Sequence, residues 1–203
     1  MSLFFSGIEW IKNQYYRVDK SLPLGMETLE ALKYPIGQFE CPQTEGEALI
    51  TDWIAQLETF PDRLAHLVKP LSQAQLDTPY RPGGWSVRQV VHHLADSHHN
   101  SYTRFRWALT EERPLIKVYD ETQWVKLPDG DQAPIDLSLA YLKVLHAKMV
   151  LMLKGLSQEQ MAMGYVHPEG NTFVSVAENI GKYVWHGNHH YAHIAKLIER
   201  EAW

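Results

Sequence analysis

Four stretches of this chain place their apolar residues at steps of three and four, and that period leaves few folds open. Between Glu47 and Val68, residues Leu49, Ile50, Trp53, Leu57, Phe60, Leu64 and Leu67 recur on one face, as an amphipathic helix requires. Pro61 sits inside this pattern and is expected to kink the helix or to open a second one at its first turn. Ser86 and Gln89 form a capping-box pair, predicting a helix from there to about Leu109. A third helix is expected over about Leu137 to Leu153, on Leu139, Leu142, Leu145, Met149 and Leu153. A second capping pair, Ser175 and Glu178, opens a last helix reaching about Glu201. Residues 165–174, YVHPEGNTFV, read as a short β-hairpin turning at Pro168-Glu169-Gly170. Four helices with one apolar face each pack as a bundle. The expected fold is therefore all-α, a four-helix bundle with a β-hairpin before its last helix.

The rest of the chain narrows the function class. Its 203 residues suit one domain with a sizeable core. A formal charge of −5 argues against a nucleic-acid or anionic-membrane surface. The single cysteine, Cys41, excludes an internal disulfide framework and fits a reducing compartment. No apolar run approaches the roughly 20 residues of a membrane span. The first 25 residues carry Glu9, Lys12, Arg17 and Lys20 and do not read as a secretory signal. A cytoplasmic location is expected. Met26 is a possible start, which would make residues 1–25 an appendage. Residues 113–135, with Pro114, Pro128, Gly130 and Pro134, read as an irregular loop, long enough to suggest a functional role.

The eleven histidines are clustered. His92, His93, His98 and His99 lie in the second helix, and His186, His189, His190 and His193 in the last. Residues four apart stand one turn above each other on the same side of a helix. His186/His190 and His189/His193 are thus both pairs able to grip one metal ion. At about 100° per residue, the apolar stripe of Tyr183, Leu197, Val176, Ile194 and Ile180 lies closer to His186/His190 than to His189/His193. None of the four histidines of the second helix has another at four residues, so this helix is expected to give one ligand. Periodicity there favours His98 slightly over His93 and turns His92 and His99 to the opposite face. Three protein ligands leave a coordination position open, as in catalytic zinc sites. Imidazoles also suit nickel, cobalt and copper.

Asp96, His146, Tyr119, Asp120 and Trp124 are candidates for groups that support the ligands or line a substrate site, because a ligating imidazole usually donates its other N–H. His167 reads as a loop residue. Cys41 lies among chain-breaking residues far from both clusters and is a poor nucleophile candidate. Gly83-Gly84 is a turn before a helix rather than a phosphate loop.

The run GGWSVRQVVHHLADSHHNSYTRFRWALTEERP, with VYDETQW and YVWHGNHHYAHI after it, closely resembles the DinB-like superfamily, and within it the YfiT group. That group carries the label of metal-dependent hydrolases and is linked to bacillithiol S-transferases. The resemblance extends from about Tyr34 to the C-terminus, so residues 1–33 are set apart as an N-terminal extension and residues 34–203 as the domain. It implies a four-helix bundle, a buried three-histidine site for nickel or zinc, and a homodimer. By motif position the implied metal ligands are His93, His186 and His190. The last two agree with the angular reading; on the second helix the resemblance selects His93 over His98.

A metal held this way can activate a nucleophile. The expected reaction is transfer of a low-molecular-weight thiol of bacillithiol type to an electrophile. A hydrolase activating water is the alternative, and a non-catalytic metal-binding dimer is a further one.

Overall fold

The computed structural model describes residues 28–42 and 46–203. The reading of residues 1–25 as an appendage falls outside the described residues. Helix α1, Leu29–Lys33, is capped by Thr28, whose hydroxyl accepts from the Ala31 N–H. Helix α2 spans Glu47–Val68 and continues without interruption through Pro61. A proline inside a helix leaves the carbonyl four residues earlier without its usual donor. Here that carbonyl, on Leu57, accepts instead from His146 Nδ1 at 2.6 Å.

The one-turn helix α3, Gln73–Leu76, leads to α4, Val87–Thr110, and both begin with complete capping boxes, Ser72/Gln75 and Ser86/Gln89. The segment expected to be an irregular loop contains two single-turn helices. In α5, Glu121–Trp124, Asp120 caps the first turn, and in α6, Pro128–Asp131, proline occupies it. Just before them, the Ile116 N–H donates to the Val166 carbonyl and the Val166 N–H to the Pro114 carbonyl, so this stretch runs beside the hairpin. Helices α7, Ile135–Lys154, and α8, Gln158–Ala162, follow. Strands β1, Gly164–His167, and β2, Thr172–Ser175, pair antiparallel with Tyr165 opposite Val174. Gly170 supplies the positive φ, 71°, that the connecting 3₁₀ turn needs. Helix α9, Val176–Glu201, opens with the Ser175 hydroxyl accepting from the Glu178 N–H.

The four long helices form a ring in which α4 packs on α7 and α9, and α2 packs on the same two. The first two long helices in sequence, α2 and α4, therefore stand diagonally. Gly181 of α9 makes one of these contacts possible, because a Cβ there would lie 2.6 Å from the Trp53 ring of α2. The bundle buries two apolar clusters. One gathers Phe60, Leu64, Val90, Leu94, Leu142 and Ile194; the other gathers Trp53, Leu57, Phe105, Met149, Tyr165 and Ile180. At the waist between them lies a belt of buried polar side chains. In it Asn179 donates to Ser101 and accepts from Tyr165, and Asn188 donates to Gln56 and accepts from Arg63. The buried histidines belong to this belt.

Candidate metal centre

His93 projects from α4, and His186 and His190 project from α9 one turn apart. Their nearest ring nitrogens all lie within 4.8 Å of one another. His93 Nε2 and His186 Nε2 face each other at 3.2 Å. Two imidazoles on one tetrahedral zinc, each about 2.0–2.1 Å from the ion, would hold their nitrogens roughly 3.3 Å apart. The spacing fits a shared ion. Burial pushes the His93 imidazole down to about 4. It also holds His186 and His190 well below the usual histidine range, with each ring's histidine neighbours adding to the effect. All three are therefore neutral at physiological pH, the form that binds a metal.

The cluster opens onto a cavity of about 690 Å³. Trp85 forms part of its wall, 4.7 Å from the His93 ring between centres, while Tyr80 stacks on His193 at 4.0 Å. Four basic side chains, Lys33, Arg81, Arg104 and Lys182, line it against two acidic ones, Glu121 and Glu169. Arg104 is 8% exposed and donates to the Tyr183 hydroxyl at 3.3 Å. Because it follows His93 by three helical turns, it falls on the same face of α4. Lys182 precedes His186 by one turn of α9. The histidine spacing alone points to neither, although both follow from a helical wheel drawn about His93 and His186.

The remaining histidines are placed as follows. His98 is fully buried, with its Nδ1 2.9 Å from His146 Nε2 and its ring stacked on Phe60. Its core-facing position matches the angular reading, but it lies outside the trio. His92 is buried rather than turned outward, with its nitrogens against Ser138 Oγ and the Ala133 carbonyl. His99 is exposed and meets the Tyr141 hydroxyl. His189 and His193 line the cavity beside the trio, and His193 Nε2 lies 3.0 Å from the Lys33 carbonyl. His167, expected to be only a loop residue, sits on β1 and lines the cavity.

Of the supporting candidates, Tyr119 lines the cavity together with Ser97, and burial raises its pKa. Asp96 is half-buried, and burial, with Asp129 adding, raises its carboxyl to about 6. Asp120 caps α5, and Trp124 stacks at a tilt on Tyr119; neither lines the cavity. Cys41 is exposed.

The model of the DinB superfamily matches residues 56–194, which contain all three histidines. The chain belongs to the DinB superfamily. DinB relatives in Bacillus cereus and Bacillus mycoides are 50% and 49% identical to it, each matching about 85% of this chain and nearly all of their own length. Both carry the name "Putative metal-dependent hydrolase". Among solved DinB structures, YfiT from Bacillus subtilis superposes with a TM-score of 0.84 at 44% identity, covering 85% of this chain and 99% of its own. It is described as "a probable metal-dependent hydrolase with an unusual four-helix bundle topology".

Proposed function

We propose that His93, His186 and His190 hold one divalent metal ion, zinc or nickel, and that the protein is an enzyme transferring a small thiol of bacillithiol type to an electrophile. The observation that carries the reading is the convergence of three neutral imidazoles on the wall of an open cavity with a surplus of basic side chains. When bound, the metal would supply Lewis acidity, which would favour the deprotonated form of a nucleophile. No cysteine is among the residues lining the cavity, so the thiol arrives with the substrate. Arg104 and Lys182 attract and orient an anionic substrate by charge and hydrogen bonding, and Trp85 and Tyr80 narrow the cavity beside the histidines. Hydrolysis is the second reading, supported by the names the relatives carry.

Metal-loaded protein incubated with a haloarene and either bacillithiol, cysteine or no thiol separates the two. Thiol transfer predicts conjugate formation that is fastest with bacillithiol and absent in His190→Ala. Cleavage of esters or amides without any thiol would establish the hydrolase instead. Full metal occupancy with neither activity would favour a non-catalytic metal-binding protein.

We also propose a homodimer. Helix α7 presents Leu137, Tyr141, Val144 and Leu151 at 65%, 44%, 62% and 77% exposure, an apolar stripe suited to association. Light scattering is expected to give twice the 23.5 kDa of one chain; a monomer mass at micromolar concentration would exclude the dimer.

A further inference from the structure

The proton positions behind the trio can be worked out from groups that have only one role. A main-chain carbonyl only accepts, and a neutral imidazole donates through one nitrogen and accepts through the other. His193 Nε2 stands 3.0 Å from the Lys33 carbonyl and therefore carries the proton. Its Nδ1 is then bare, and it faces His190 Nδ1 at 3.3 Å. The proton between them must belong to His190 Nδ1, which leaves His190 Nε2 as the lone pair available to a metal.

An independent chain begins at the carbonyl that Pro61 leaves open. His146 Nδ1 donates to Leu57 O at 2.6 Å, so His146 Nε2 is bare and accepts from His98 Nδ1 at 2.9 Å. His98 Nε2 is left as a buried lone pair with no partner. His186 Nδ1 is likewise buried with no partner. The two rings are 5.6 Å apart between centres, against 4.9 Å for the hydrogen-bonded His98 and His146. His186 Nε2, meanwhile, is the nitrogen turned toward His93.

We propose that His193 is a positioning residue. An imidazole relay ending on the Lys33 carbonyl keeps the proton of His190 on Nδ1 and so would present the bare Nε2 of that ring to the metal; the chain from Leu57 through His146 stops at His98 Nε2, which has no partner among the described residues. This rests on the reading of the trio as a metal centre. Hydrogen-bonding the outer nitrogen of a ligating histidine fixes its tautomer and orientation, and loss of such a partner typically weakens metal binding about 10–100-fold. This relay differs from the common carboxylate arrangement in being uncharged, so it orients His190 without adding negative charge beside the ion. It also ties the centre to α1 through the Lys33 carbonyl.

Two measurements test the proposal on the full chain. Long-range ¹H–¹⁵N NMR of the zinc-loaded protein should show His193 protonated on Nε2 with a bare Nδ1. His193 protonated on Nδ1 overturns the relay. In chelator competition, His193→Leu should lose about 10–100-fold in zinc affinity. His193→Gln should recover part of the loss, because an amide can both donate to Lys33 O and accept from His190. Wild-type affinity in His193→Leu overturns the relay and leaves the metal centre intact. Failure of the wild-type chain to bind zinc, or undiminished binding in His190→Ala, defeats the metal-centre reading itself. The NMR measurement needs no variant, so it decides even where a leucine substitution prevents folding.

Discussion

Each buried imidazole at the waist of the bundle carries a cost that appears only when it is protonated. Burial holds His93, His146 and His193 near 4 and His189 near 3, whereas an unfolded histidine titrates near 6.5. Below that value the unfolded chain takes up protons that the folded chain refuses. Stability is therefore greatest above about 6.5 and declines as the pH falls toward 4, by up to about 1.4 kcal/mol per pH unit for each such group. Thermal unfolding of the metal-free protein followed by circular dichroism should show a melting temperature that drops steeply between pH 6.5 and 4. A flat profile across that range would contradict the burial of neutral histidines. The same residues mark the limit of the sequence reading. The pairing of His186 with His190 was legible because a four-residue step on a helix fixes geometry. The choice between His93 and His98 was not, because a helical wheel identifies the inward face but not the neighbour opposite it. His98 points inward as periodicity indicated, yet its hydrogen bond goes to His146 of α7 and its other ring nitrogen has no partner.

At the scale of elements, the long helices were readable because their ends are written in local chemistry. Ser86/Gln89 closes a box within four residues, and the apolar period runs on from it. The single-turn helices α5 and α6 have no such period; each depends on one residue, Asp120 or Pro128, at its first turn. Pro61 misled for a related reason. Its effect on α2 is set by a donor from α7, His146, which local sequence cannot reveal. The diagonal arrangement of α2 and α4 was equally hidden, since it depends on which faces meet. Gly181 tests that packing. A Cβ there meets three Trp53 ring atoms at 2.6–2.8 Å, so Gly181→Ala should overpack the α2–α9 contact and cost about 1–3 kcal/mol. Urea unfolding reads the loss directly. A variant as stable as the parent, or more stable, would show that the two helices are free to separate.

Over the whole molecule, the fold brings two sequence-distant histidine clusters to one level of the bundle and opens that level to a cavity. Two apolar clusters on either side of the waist hold α4 and α9 at a fixed separation, which sets the 3.2 Å approach of His93 to His186. Among the described residues no helix is long and apolar enough to cross a membrane. The account depends most on the trio being a metal centre. The most direct test is metal content per chain after zinc or nickel loading and gel filtration. The parent protein should retain one equivalent, as should His99→Ala, whose ring lies outside the cluster. His93→Ala, His186→Ala and His190→Ala should each lose it while keeping their helical circular dichroism. A full equivalent retained in folded His93→Ala or His190→Ala would contradict the assignment.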